Sequence, residues 1–263
     1  MLVLNAGIPR SGTVLVNAIV REWLRRRGIR YQQANPHGDE LASTVAFVRR
    51  HWRSRWHHYI LHTHSWDAAT GAELGGDSNL VAFANFRDPR DVCVSLMRLH
   101  DHDFETAAGM TRNAFTVFQQ MCRDIEPVLI PYELLVADRR SHIFRIGQCL
   151  GMAPRLSTVE EIDEATSIDR HRAVMEAVQQ GRGERLVKRN NPKRVLVEDA
   201  DSLINDRHIQ SGAAGRWRSE LTAAQMDAAN ERFSDLLDIY GYAGELSPAN
   251  DAAPQSTTGR PDE

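Results

Sequence analysis

The chain has 263 residues, 42% apolar and 25% charged, with a net charge of −3 at pH 7. That balance predicts a single soluble domain with a real core, and it excludes a global positive field that would gather nucleic acid or anionic membrane. No apolar run is long enough to span a bilayer. The three dispersed cysteines, Cys93, Cys122 and Cys149, form no CxxC pair and argue against a disulfide framework or a cysteine zinc site. The first residues carry no basic n-region, so a reduced, cytoplasmic protein is expected.

In chain order, Met1–Ala6 reads as a buried strand. Gly7–Gly12 is a turn, and from Thr13 apolar residues recur at helical spacing (Val14, Leu15, Ala18, Ile19, Leu24) until Gly28. His58–Thr63 and Asn79–Phe86 are further strand candidates. Pro89 suits the first turn of a helix through Val92, Val94, Leu96 and Met97. Phe104–Ile125 reads as a helix, Pro127–Pro131 as a buried strand and Arg139–Leu150 as a helix. Strands alternating with helices predict an α/β domain with a mostly parallel central sheet flanked by helices. Beyond it, Thr158–Gln180 is expected as one or two amphipathic helices and the basic stretch Gly181–Arg194 as a surface loop. Thr222–Tyr240 is expected as a final helix capped by Thr222. The domain is expected over 1–244, with a disordered tail over 245–263.

Two segments carry the chemistry. Gly7-Ile-Pro-Arg-Ser-Gly12-Thr13 joins a strand to a helix, where main-chain N–H groups and the helix dipole favour an anion. Arg10, Ser11 and Thr13 add side-chain donors. A P-loop that binds ATP wants Lys and then Ser or Thr after the second glycine, and these positions hold Thr13 and Val14. The second segment, Phe86-Arg87-Asp88-Pro89-Arg90-Asp91-Val92-Cys93-Val94-Ser95, also ends a strand and opens a helix, so Arg87 and Ser95 can converge on a second phosphate. Read separately, the first could instead be a tight turn with no ligand, and the second is more often a well-capped helix start.

Together the two segments resemble the sulfotransferases that use 3′-phosphoadenosine 5′-phosphosulfate (PAPS). Pro9-Arg10-Ser11-Gly12-Thr13 is similar to the family's Pro-Lys/Arg-Ser-Gly-Thr loop for the 5′-phosphosulfate, with Val14 next to it. Arg87 to Ser95 resembles the segment whose Arg and Ser hold the 3′-phosphate, with the same spacing. Leu61-His62-Thr63-His64 is similar to the Lys-Thr-His stretch that ends in the catalytic base, which implicates His64. Pro131-Tyr132-Glu133-Leu134 resembles the element whose Tyr, here Tyr132, lies near the adenine. Near the C-terminus the family's Arg-Lys-Gly and Gly-Asp-Trp-Lys stand here as Gln210-Ser211-Gly212 and Gly215-Arg216-Trp217-Arg218. Gly212 is kept, while Arg216 and Arg218 are the nearby cations available for the missing pair.

The resemblance implies a P-loop-like fold and in-line transfer of the sulfuryl group from PAPS to an acceptor hydroxyl. The product would be adenosine 3′,5′-bisphosphate, and no metal is required. Arg10 would stabilise the charge developing on the leaving phosphate, and His64 would take the hydroxyl proton. The acceptor would be a small molecule, glycan or natural product, with no nucleic acid partner and a homodimer left open. His62 lies on the same strand face as His64, and His100 and His102 border the expected acceptor pocket. Two other readings remain: a kinase-like phosphotransferase on a P-loop scaffold, and a catalytically dead nucleotide-binding protein. A third, a metal site on His57, His58, His62 and His64, wants a ligand from elsewhere.

Overall fold

All six residues of Leu2–Gly7 (β1) are buried because this strand is central and is covered on both faces. The structure, a computed structural model, describes residues 1–36, 40–52, 58–182, 186–191, 194–199, 203–204 and 212–245. β1 pairs in parallel with Tyr59–Thr63 (β3) on one side and Leu80–Phe86 (β4) on the other. Gln32–Ala34 (β2) and Val128–Pro131 (β5) complete a five-stranded parallel sheet in the order β2-β3-β1-β4-β5. Side chains alternate across it: Leu2, Leu4 and Ala6 join one apolar cluster with Phe86, Phe115 and Phe118, while Val3 joins the opposite one with Ile19, Trp23 and Ile143.

The helices Thr13–Arg26 (α1), Glu40–Trp52 (α2), Ala68–Leu74 (α3), Pro89–His100 (α4) and Phe104–Ile125 (α5) lie between or after these strands. Tyr132–Ala137 (α6), Arg139–Cys149 (α7), Leu156–Ala165 (α8) and Ile168–Gln179 (α9) follow β5. The chain leaves β1 toward β2 at one edge and leaves β4 toward β5 at the other. The crevice beyond the carboxyl ends of β1 and β4 is therefore a topological switch point, the usual ligand position in such sheets. Both chemical segments of the sequence open there. Among the described residues no helix is long and apolar enough to cross a membrane.

Three expectations need correction. Gly181–Arg194 is not a plain loop: Leu186–Asn191 (β6) pairs antiparallel with Arg194–Asp199 (β7). Basic residues masked the strand formers Val187, Val195 and Val197, and the antiparallel ladder satisfies the main chain locally. The expected last helix is broken at Phe233 into Ala223–Arg232 (α11) and Ser234–Tyr240 (α12), preceded by the short Trp217–Glu220 (α10). Phe233 is buried, so packing sets that break; Thr222 caps α11 in a capping box, as expected. Strand β2 and helices α2, α3 and α6 were not anticipated. The tail expected beyond Glu245, and also Gln210, Ser211, Lys193, Trp56 and His57, lie outside the described residues.

Candidate functional site

The loop after β1 is shaped by close approach. At Gly7 a Cβ would lie 2.5 Å from the Asn85 carbonyl oxygen. Gly12 has φ +86°, and its Cβ would meet the Tyr132 ring at 2.8 Å, so a side chain there would fill the cradle. Between them Arg10 itself takes φ +72°, a strained conformation for a non-glycine residue that costs on the order of 1–3 kcal/mol and recurs at functional sites. Ser11 is fully buried, and its hydroxyl faces the carbonyls of Ile8 (2.6 Å) and Asn85 (3.0 Å), bracing the loop onto β4. No side chain caps α1, so its first-turn N–H groups carry the positive end of the helix dipole at the start of the helix.

The second segment delivers Arg87 to the same place. Its Nη2 donates to Asp91 Oδ2 (2.8 Å) and to the Ala213 carbonyl (2.6 Å), and its Nη1 reaches the Arg10 carbonyl at 3.4 Å. The guanidinium lies 4.3 Å above the Tyr132 ring. Its Nε is buried without a hydrogen-bond partner. Arg10 Nε donates to Ser95 Oγ at 2.9 Å, so the two segments meet directly. Burial, and after it the charge of Arg87, pulls the Arg10 guanidinium down to about 10; Arg216 adds to the same effect. Concentrated positive charge around a Gly-lined cradle, with an orphaned buried N–H, fits a polyanionic ligand.

His64 follows β3 at the mouth of this crevice. Its Nδ1 lies 2.8 Å from the Gly7 carbonyl, which only accepts, so Nδ1 carries the proton and Nε2 of the neutral ring keeps its lone pair. His62 is buried, with its ring centroid 5.2 Å from that of His64 at a near-perpendicular angle, as expected for one strand face. Asn5 Nδ2 donates to the Thr13 carbonyl (2.8 Å) and faces His62 Nδ1 at 3.2 Å, linking the histidine strand to the start of α1. His58 sits at the other end of β3, 3.3 Å from the Met1 amine. Among the described residues no three His, Cys, Asp or Glu side chains gather as a metal group.

His100 and His102 pair with each other at the end of α4, with ring centroids 5.4 Å apart. Asp101 and Asp103 between and beside them are helix caps, Asp101 in the left-handed region and Asp103 accepting from Thr106 N at 2.7 Å. Tyr132 donates to the Gly212 carbonyl at 2.5 Å, so both come to the rim of the crevice. Several residues of the site escaped sequence reasoning. Asp91 accepts from Arg87 and also from Gly215 N (2.8 Å) and Trp217 N (3.0 Å), folding residues 213–217 over the second segment. Arg90 is wholly buried, paired with Asp88 (2.7 Å), bonded to Asn230 (3.1 Å) and stacked 3.9 Å from Trp217.

The five-stranded parallel α/β sheet has the fold of the sulfotransferases. Solved structures similar to the chain include mouse sulfotransferase SULT7A1 complexed with PAP, at 14% identity and TM-score 0.62 over 94% of this chain and 89% of that one. Retinol dehydratase with androsterone and the inactive cofactor PAP is similar at 16% identity and TM-score 0.54, over 90% of this chain and 80% of that one. Retinol dehydratase with retinol and PAP gives 18% and 0.52, over 90% and 81%. No protein-family model matches the chain, and no curated protein does.

Proposed function

We propose that the protein is a PAPS-dependent sulfotransferase. The observation that carries this reading is the meeting of two guanidiniums, the buried Arg87 and the half-buried Arg10, at one glycine-lined loop to which His64 is also tied. Two positive sites side by side suit a nucleotide with phosphates at both ends of its ribose. In this reading Arg10 and the first-turn N–H groups of Gly12, Thr13 and Val14 hold the 5′ end, with Ser11 bracing the loop. Arg87 and Ser95 hold the 3′-phosphate, and Tyr132 and Gly212 border the base. The bound nucleotide supplies an activated sulfuryl group on a phosphate leaving group.

His64 Nε2 takes the proton of the acceptor hydroxyl as its oxygen bonds to sulfur and the sulfur–oxygen bond to phosphate breaks. Arg10 stays protonated and stabilises the phosphate charge that appears. His62, seated on Asn5, orients His64. Thr13 and Val14 stand where an ATP-dependent P-loop enzyme needs its Lys and its magnesium-binding hydroxyl, which disfavours phosphoryl transfer. The acceptor class is a small-molecule hydroxyl, with a glycan as the wider alternative and His100 and His102 toward its pocket. Retinol and androsterone, held in the similar structures, are the first compounds to try.

Calorimetry with adenosine 3′,5′-bisphosphate, AMP and Mg²⁺-ATP tests the nucleotide, and a PAPS turnover assay over a panel of alcohols and phenols tests the reaction. Preference for the bisphosphate with sulfated product is expected. Equal binding of all three nucleotides, or Mg²⁺-dependent ATP turnover, overturns the reading.

A further inference from the structure

Helices α1 and α9 line a cavity of about 190 Å³, with Arg21 and Arg25 contributed by the first and Arg170 and His171 by the second. That volume holds about six waters and falls below the pockets of drug-sized ligands, so it suits a small occupant. Val174 and Ile204 also line it, and with Leu203 they pack on Val14 in the first turn of α1. An apolar cluster therefore stands between this cavity and the anion cradle at Gly12 and Thr13. Glu22 is the one carboxylate among the described lining residues, and Arg25 (2.8 Å) and Arg26 both hold it. Arg21 Nε donates to the Tyr31 hydroxyl at 3.0 Å. Arg170 is exposed, and among the described residues no carboxylate pairs with its guanidinium. His171 Nδ1 lies 3.0 Å from the Ser167 carbonyl, which only accepts, so Nδ1 carries the proton and Nε2 of the neutral ring is an acceptor. Burial holds the His171 pKa below its ordinary value, with the Arg139 charge acting the same way and the Ser167 carbonyl opposing it, so the ring is neutral at pH 7.

We propose that this cavity is a second anion site, separate from the nucleotide crevice, and that it binds inorganic hydrogen phosphate. Arg170, with Arg25 beside it, takes the anionic oxygens, and His171 Nε2 accepts from the phosphate hydroxyl. The cations draw any small oxyanion, while the histidine selects among them. A nitrogen that only accepts needs a proton on the ligand, which hydrogen phosphate carries at pH 7 and sulfate does not. Sulfate sets an oxygen against Nε2 and leaves two acceptors facing each other. A phosphate monoester, whose second pKa is about 6, is mostly a dianion without that proton and falls with sulfate.

The test follows the His171 ring by NMR of ¹⁵N-histidine-labelled protein at pH 7, its signal assigned by loss in His171→Phe, which keeps the ring volume. Inorganic phosphate is expected to move the Nε2 resonance with a Kd of about 1 mM or tighter, and sulfate and methyl phosphate to bind at least about tenfold more weakly. Arg170→Gln, at an exposed position, is expected to keep the melting temperature and to weaken phosphate at least about tenfold. A resonance that stays in place at about 20 mM phosphate overturns the assignment, and phosphate lodged only in the nucleotide crevice gives that result. Sulfate or methyl phosphate binding as tightly as phosphate overturns it too, as does an Arg170→Gln protein that binds phosphate like wild type. None of these outcomes depends on nucleotide binding, so the site can fail while the sulfotransferase reading stands.

Discussion

Arg10 and Ser95, 85 residues apart in the chain, share a 2.9 Å hydrogen bond that joins the loop after β1 to the second turn of α4. If the two segments hold the two phosphates as proposed, the contact couples them, because the hydroxyl assigned to one phosphate also orients the guanidinium assigned to the other. Arg10→Ala removes a preorganised charge and is expected to lower kcat by about 10²–10³. Ser95→Ala removes a neutral acceptor and is expected to cost about tenfold or less, split between nucleotide affinity and kcat. Steady-state kinetics with PAPS as the varied substrate separates the two.

His64→Ala is expected to lose about 10²–10⁴ in kcat with the affinity for adenosine 3′,5′-bisphosphate unchanged, since the histidine's hydrogen bond to the Gly7 carbonyl leaves the anion-binding N–H groups of the loop untouched. The acid limb of the kcat profile should vanish in the variant, because protonation of Nε2 is what removes the base. A variant that keeps full turnover refutes the base assignment. Asn5→Ala reports the same geometry from one step further back, lowering kcat while leaving the pH profile in place.

Strands β1, β3, β4 and β5 and the helices that open after β1 and β4 were legible in the sequence because their signals are local, whereas the three-residue edge strand β2 was not. Apolar runs, bounding glycines and Pro89 sit within a few residues of the structure they specify. Helix α2 carried such a signal too, in Leu41, Val45 and Val48, all now buried, and was overlooked. In α3 the interior Gly71 hid the helix. It is there because a Cβ would lie 2.4 Å from Asp124 Oδ2, a constraint imposed by a residue on α5. Asp91 illustrates the part that no pattern carries: it reads as an ordinary acid in a helix first turn, yet its partners Gly215 and Trp217 lie more than 120 residues away. Pairings of that kind are set by tertiary packing, and so the roof of the site was invisible while its floor was not.

Asp88 and Arg90 form a buried ion pair at the start of α4, and Arg90 is also bonded to Asn230 and stacked on Trp217. Breaking such a pair leaves an uncompensated charge, so Arg90→Ala and Asp88→Ala are each expected to lower stability by about 3–5 kcal/mol. Replacing both at once should cost less than the two single losses added together, which a double-mutant cycle followed by denaturant unfolding measures. Additive losses would mean that the pair does not act as a unit.

Glu133 gives a pH dependence whose sign is opposite to that of most carboxylates. It follows Tyr132 at the start of α6, with Oε1 accepting from Asp88 N (3.1 Å) and Oε2 accepting from the Tyr242 hydroxyl (2.6 Å). Burial raises its pKa above the ordinary value, and the hydrogen bond from Tyr242 offsets only part of that rise. A group whose folded pKa is raised contributes stability that is fully present below its unfolded pKa, about 4.3, and lost as pH climbs through the folded value. Glu133→Gln stays neutral, keeps an oxygen for Asp88 N and turns an amide toward Tyr242, whose hydroxyl can then accept. The variant is therefore expected to match wild type near pH 4 and to become the more stable protein as pH rises toward 7. Melting temperatures of the two proteins across that range decide it: a wild type that gains on the variant with rising pH would show that the carboxylate is stabilised, not penalised, by its surroundings.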